Sequence, residues 1–274
     1  MDNMNETNLK LAFIGGGNMG EAMIAAAIRR GLAQPGSIRV SDISEARLGL
    51  LRQQNGVETT TDNRQAIVGA DLIVLAIKPQ TLPTALPGLA GALQPGQLVL
   101  SIVAGARIEK IAAGLRHAAI VRSMPNTPAQ IGEGMTVWTA TPQVTPHQRE
   151  QAQSLLGAMG REIYVADESY LDMATAVSGS GPAYFFLFAE SLIEAAVRIG
   201  FTPEVARVLV VQTMIGSADL ISRTDKPPAE LRRMVTSPGG TTARAIEKFE
   251  SGNLRQLVLE AVQAALERAR ELGK

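Results

Sequence analysis

The chain has 274 residues, 46% of them hydrophobic, and its 26 basic and 26 acidic side chains cancel to zero net charge. Zero net charge with no run of like charges excludes the electrostatic footprint of a nucleic-acid binder. The absence of cysteine excludes disulfides, thiolate nucleophiles and cysteine-ligated zinc, and two histidines, His117 and His147, are too few for a multi-histidine metal centre, so no metal is expected.

The start, MDNMNETNLK, is polar and acidic and lacks the basic head and apolar core of a secretory signal. Apolar runs are broken by Pro, Gly or charge short of a membrane span, so a soluble cytoplasmic protein without membrane contact is expected. The run around LAFI reads as a short buried strand that stops at glycine, and NMGEAMIAAAIRRGL as a helix. Glu21 in its first turn and Arg29 and Arg30 in its last suit the helix dipole, and Gly31 is a natural stop. SIRVSD then reads as a strand, EARLGLLRQQNGV as a helix, ADLIVLAIKP and QLVLSIVAG as strands, and RIEKIAAGLR as a helix. AAIVRSMPNTP and GMTVWTA read as two further strands around a proline-rich loop. Strands apolar along their whole length, alternating with helices, predict a parallel sheet covered on both faces.

That pattern ends near residue 166. From 167 to 274 the periodicity is helical: ESYLDMATAVSGSGPAYFFLFAESLIEAAVRIGF, then TPEVARVLVVQTMIGSADLIS with Thr202 and Pro203 as N-cap and first helical residue, then two more helical stretches. The expected class is α/β over 1–166, followed by an all-helical domain.

Gly15, Gly17 and Gly20 match G-x-G-x-x-G between a strand and a helix, the context in which the pattern marks a dinucleotide pyrophosphate site. The bland alternative is a turn that needs glycine and touches nothing. Asp42, about 20 residues on, is placed to hold a ribose, while Ser41 beside it could bond a 2′-phosphate. Lys78, in AIKPQ, ends a strand where ligands sit in open parallel sheets, although lysine also terminates strands as a solvated residue. Ser237 to Thr242, two glycines and hydroxyls at a helix start, form a nest of N–H donors suited to a small carboxylate, or an ordinary capping loop. SGSGP interrupts an apolar helix, where an interior proline costs about 3 kcal/mol, so close packing or a ligand should compensate. His117 and His147 are expected at the surface, away from any strand's carboxyl end. With no strong general base in place, hydride addition to an already electrophilic C=N bond is the chemistry that asks least of the protein.

FIGGGNMG at 13–20, AIKPQ at 76–80, RSMPNTP at 122–128, SGSGPAY at 178–184 and TSPGGTT at 236–242 resemble the motifs of the pyrroline-5-carboxylate reductase family, in order and over nearly the whole chain. The resemblance implies a Rossmann-type domain followed by a helical dimerisation domain, and reduction of 1-pyrroline-5-carboxylate to L-proline. NADPH is the implied cofactor, with NAD the alternative. It places Ile14, Gly15, Gly16, Gly17, Asn18 and Met19 at the pyrophosphate and Ser41 and Asn63 at the adenosine ribose or its phosphate. Ala76, Ile77, Lys78, Pro79 and Ala104 fall on the nicotinamide side. Ser237, Gly240, Thr241 and Thr242 would hold the substrate, with Glu168 near it and Thr242 and Lys78 in catalytic roles. A homodimer, or a larger ring of dimers, is implied, and the helix from Pro203 supports it because its apolar residues spread around most of the cylinder. The competing readings are a β-hydroxyacid dehydrogenase, which would want a lysine between Glu168 and Arg198 where there is none, and a non-catalytic dinucleotide sensor, which would have no use for TSPGGTT.

Overall fold

The short apolar runs do become strands, because each is buried on both faces. A computed structural model describes residues 8–273; the polar start at residues 1–7, read above for the absence of a signal, lies outside the described residues. The elements run β1 (Leu11–Ile14), α1 (Asn18–Arg29), β2 (Ile38–Ser41), α2 (Glu45–Asn55), β3 (Glu58–Thr60), α3 (Asn63–Ile67), β4 (Leu72–Leu75), α4 (Leu82–Leu89), β5 (Leu98–Ser101), α5 (Ile108–Leu115), β6 (Ile120–Met124), β7 (Gly134–Ala140), α6 (Pro146–Gly157) and β8 (Gly160–Tyr164). They build one sheet in the order β3-β2-β1-β4-β5-β6-β7-β8. Successive residues of a strand serve opposite cores. Leu11 and Phe13 pack with Met23, Leu51 and Trp138 on one face, while Ala12 and Ile14 pack with Leu82, Leu86 and Ile111 on the other.

The register fixes where a ligand can go. Ile14 is level with Ser41 on one side and Leu75 on the other, and Leu75 with Ser101. The carboxyl ends of β2, β1, β4 and β5 therefore open on one line, and the strand order reverses between β1 and β4, where ligands of such sheets bind.

Three expectations change. The sheet is not wholly parallel, since β7 runs antiparallel to β6. The loop between them, Pro125 to Glu133, is too short for a crossover helix, so the chain must turn straight back. Second, the proline of SGSGP is not interior. Helix α7 (Tyr170–Ala174) passes into a wide turn (Thr175–Gly179), and α8 (Gly181–Arg198) starts afresh with Pro182 as its second residue. At that position the missing N–H costs little. The break is filled by packing: a Cβ on Gly179 would lie 2.8 Å from Met124 Cε, and Asn126 donates from Nδ2 to the Ser178 carbonyl (3.0 Å) while its Oδ1 accepts the Met135 N–H (2.9 Å). Third, the expectation that no apolar run reaches span length fails for α9 (Pro203–Arg223). That helix is long and apolar enough, by length and composition, to cross a membrane, with a mean hydropathy of 1.4, and little of it is buried.

Composition changes near residue 166, but the contacts divide the chain into Met1–Ser180 with Ala265–Lys274, and Gly181–Ala264. The reason is a charge network in the first unit. Arg122, on β6 and 3% exposed, meets Glu168 Oε1 at 2.7 Å and Asp172 Oδ1 at 3.3 Å, and Arg107 approaches Asp172 Oδ2 at 3.5 Å. These pairs tie α7 and the segment before it to the sheet. At the other end of the chain, a Cβ on Gly105 would meet Leu272 at 2.8 Å, so the last turn of α12 (Leu254–Leu272) belongs to the same unit.

The second unit holds α8, α9, α10 (Pro228–Met234), α11 (Thr241–Ser251) and most of α12. Phe185, Phe186 and Leu187 on α8 are each more than 60% exposed, and along α9 only Ala206 and Val210 are buried. Thr202 caps α9 through the Val205 N–H and Pro203 follows it, as the sequence predicts.

The buried network gives a stability test. Arg122→Met leaves Asp172 and Glu168 without their shared cation, and should destabilise the first unit by about 3–5 kcal/mol. Adding Asp172→Leu should restore part of that loss. Denaturant midpoints of parent, single and double variants measure it; equal midpoints for all three would show that the network adds nothing.

Candidate functional site

The glycine turn sits where the register points. Gly15 leaves β1 with φ +99°, a region L side chains rarely adopt, and an added Cβ would stand 2.6 Å from the Ala76 carbonyl oxygen. Its N–H donates to the Ser41 carbonyl (2.7 Å), and the Ala76 N–H donates to Ile14 (2.8 Å), so the turn is stitched to both neighbouring strands. Gly17 differs. A Cβ there would meet nothing within 4 Å. It is the N-cap of α1, no side chain caps the helix, and Asn18 and Met19 begin it. Backbone N–H donors thus face an open space at the positive end of a helix, which is what an anion requires.

A cleft of about 320 Å³ opens beside the turn, lined by Ile14, Gly15, Gly17, Asp42, Asn63 and Lys78 among others. Ala76, Ile77 and the exposed Lys78 follow β4, and Pro79 opens the short 3-10 turn Pro79–Thr81. Lys78 pairs with no acidic side chain among the described residues. Ala104 lies just past the end of β5, half-buried and outside the lining of the cleft.

Ser41 is also part of the lining of the cleft. It is fully buried, and its hydroxyl is 2.7 Å from Asn63 Oδ1 and 3.3 Å from the Phe13 carbonyl. Its proton is spent on these acceptors, and it holds the Asn63 side chain in place. Asn63 is half-buried and keeps its amide donors for the cleft. Asp42 is held in place twice: Oδ2 accepts the Gly16 N–H (2.8 Å) and Oδ1 the Ser44 N–H (2.9 Å). Arg47 braces the turn from the other side, donating from Nε to the Gly16 carbonyl and pairing with Glu21. Sequence reasoning missed Arg47, although a basic residue in the first turn of α2, where the dipole disfavours it, was the available signal. It also missed Ile43, Thr81 and Ala85 in the lining, for which no motif exists.

Glu168 is engaged on one oxygen only. Oε1 accepts the Ile108 N–H (2.8 Å), which starts α5, and also meets Arg122, while the side chain stays 24% exposed. Next to it, Asp167 is held below the usual carboxylate range by the backbone N–H and then the hydroxyl of Ser169.

In the second unit, Gly240 is the N-cap of α11 and no side chain caps that helix either. The Gly240 N–H closes the turn on the Ser237 carbonyl (3.1 Å), Ser237 and Thr241 are exposed, and Thr242 is half-buried. His147 is exposed; His117 is half-buried, its Nε2 2.7 Å from the Gln97 carbonyl. Neither lines the cleft.

A family model described as pyrroline-5-carboxylate reductase dimerisation matches residues 168–272, and one described as NADP oxidoreductase, coenzyme F420-dependent, matches 10–105. A curated pyrroline-5-carboxylate reductase of Synechocystis sp. is 40% identical over 268 residues, 97% of this chain and 99% of that one. The Pseudomonas aeruginosa protein of the same description is 39% identical over 266 residues, 97% of both. Among solved structures, a pyrroline-5-carboxylate reductase from Coxiella burnetii superposes with a TM-score of 0.89 at 41% identity, covering 97% of this chain and 99% of that one. A pyrroline carboxylate reductase from Plasmodium falciparum with NADP bound gives 0.90 at 30%, covering 98% and 100%.

The two glycines should separate in experiment. Gly17→Val should leave the melting temperature near the parent's, since φ −65° with ψ 179° is extended backbone that valine accepts, yet abolish dinucleotide binding. Gly15→Ala should destabilise by at least about 1–3 kcal/mol. Thermal melts with fluorescence titration of reduced dinucleotide check both; binding retained in Gly17→Val would return the turn to a purely structural role.

Proposed function

The chain belongs to the pyrroline-5-carboxylate reductase family, and from that premise we propose how its residues divide the work. The protein reduces 1-pyrroline-5-carboxylate to L-proline with NAD(P)H, an oxidoreductase step of proline biosynthesis. A bound reduced nicotinamide would supply the hydride for the imine carbon, and the protonated ring nitrogen would become the amine of the product. The observation that supports the division is the pair of uncapped helix N-termini, α1 behind Gly17 and α11 behind Gly240.

At α1 the backbone N–H groups of Asn18, Met19 and Gly20 receive the pyrophosphate. Asn63, backed by Ser41, and Asp42 hold the adenosine ribose. Ala76 to Pro79 and Ala104 wall the nicotinamide side, and Lys78 contributes positive charge there. At α11 the Ser237 hydroxyl and the N–H groups of Thr241 and Thr242 hold the substrate carboxylate. The Thr242 hydroxyl orients the ring nitrogen, and Glu168 offers its second oxygen to the substrate. No residue has to act as a strong base; the protein's task is to hold two reactants face to face at about 3–3.5 Å.

The protein works as a cytoplasmic homodimer formed through its helical unit. The exposed apolar faces of α8 and α9 lie within the segment matched by the dimerisation model, and dimerisation accounts for the apolar length of α9 without a membrane. The interface should exceed about 2,000 Å² and be mostly apolar.

An assay with 1-pyrroline-5-carboxylate, following loss of reduced-nicotinamide absorbance, tests the reading directly. Thr242→Ala should lower turnover by about 10- to 100-fold while the dissociation constant for the dinucleotide stays at the parent value. Unchanged turnover removes Thr242 from the site. Light scattering at low micromolar concentration should show no monomer, and Val211→Asp should give aggregated or unfolded chain; a stable 29 kDa species with full activity would defeat the dimer.

A further inference from the structure

The end of β2 decides which dinucleotide fits. We propose that Asp42 makes this enzyme prefer NADH over NADPH, a specificity that rests on the assignment of the cleft to the dinucleotide made above. Ser41, the residue from which a 2′-phosphate contact is expected, is buried at the cleft and its hydroxyl donates to Asn63. The next residue, Asp42, presents a carboxylate to the same cleft.

That carboxylate cannot swing away. Each oxygen accepts a backbone N–H, from Gly16 on one side and Ser44 on the other, so its position is set by the turn that receives the pyrophosphate. Each oxygen keeps a second lone pair. The free lone pairs suit the two hydroxyls of an unmodified ribose. A 2′-phosphate placed at the same point would bring further negative charge against a fixed anion.

A site that welcomed the phosphate would need a cation there, and the nearby ones are committed elsewhere. Arg47 is tied to Glu21 and to the Gly16 carbonyl. Arg64, next to Asn63, donates to the Gly88 carbonyl at 2.6 Å. Arg52 donates to Thr59, and Arg39 pairs with Glu58. Lys78 is the cation of the lining, but it follows β4, two strands away from β2 and so about 10 Å along the sheet edge. The residues that follow Asp42 are Ile43, almost fully exposed, then Ser44 and the acidic Glu45. The amide of Asn63 remains as a neutral donor, which serves a ribose hydroxyl as well as it serves a phosphate.

Binding to the parent dimer, without substrate, provides the first test. Isothermal titration with NADH and NADPH, and with adenosine 5′-monophosphate and adenosine 2′,5′-bisphosphate, should show the member of each pair that lacks the 2′-phosphate bound more tightly by about tenfold or more. Asp42→Asn keeps the acceptor and the shape and removes the charge; Asp42→Ser also removes the bulk. In either, the ratio of the two dissociation constants should fall about tenfold toward the phosphorylated ligand. Should both variants unfold, the parent ratios decide alone. Equal or tighter binding of NADPH and of the bisphosphate by the parent overturns the proposal. Failure of the functional reading looks different: neither dinucleotide would then support reduction of 1-pyrroline-5-carboxylate, whatever the binding ratios.

Discussion

Gly15 is the constraint from which the rest of the dinucleotide site follows. Its backbone lies so close to the Ala76 carbonyl that no side chain fits, and its positive φ turns the chain sharply out of β1. Because β1 is hydrogen-bonded to β2 and β4 in level register, the turn can only emerge into the crevice between their ends. The first residues of α1 are thereby delivered to one place with their N–H groups unspent. Asp42 and Arg47 then fix the outer side of the same turn through the Gly16 N–H and carbonyl, so two oppositely charged side chains, one just past β2 and one on α2, hold one residue from both ends.

The charge network around Arg122 does a comparable job at the far side of the sheet. A guanidinium this deeply buried is tolerated only with geometry that satisfies it, and here two carboxylates from one short segment do so. The same Glu168 oxygen that meets Arg122 accepts the first N–H of α5. The ion pair therefore sets three things together: the start of α5, the entry of the chain into α7, and the orientation of the one glutamate that the family resemblance puts near the substrate.

Much of this was legible in the sequence, for reasons that differ by element. LAFI, LIVL and LVLS announce themselves because strands covered on both faces have no polar alternation to confuse. The glycine turn was legible because strand, glycines and helix occur in one continuous stretch. β8, GREIY, was not, since an edge strand exposed along most of its length shows no apolar run. α4 escaped because it contains prolines at 83 and 87, which stand in the first turn and near the last residue of a helix too short to be disrupted by them. The contact-based division differs from the change in composition because composition is local and side-chain contacts are not: Arg122 reaches partners 46 and 50 residues away. The bonding of Asp42 was invisible for the same reason, its partner Gly16 being 26 residues distant. Motif spacing pointed to Asp42 and left open how its carboxylate would be held.

The two units meet the requirement for a core in opposite ways. The first encloses its strands between two apolar clusters and is complete by itself. The second buries almost no large side chain: α8 contributes Gly181, α9 contributes Ala206 and Val210, and α10 and α11 contribute none. Helices with aromatic and branched residues so exposed do not persist alone in water, because packing of an apolar face supplies most helical stability. The fold of this half is thus linked to association by mass action, and its stability rises with protomer concentration. The nest at Ser237–Thr242 stands on that half. On the proposed division of the work, the substrate-holding segment would then be ordered only in the assembled protein, whereas the dinucleotide cleft needs only the single chain. Dilution should consequently weaken catalysis before it weakens cofactor binding, an order that a site built wholly within the first unit would not show.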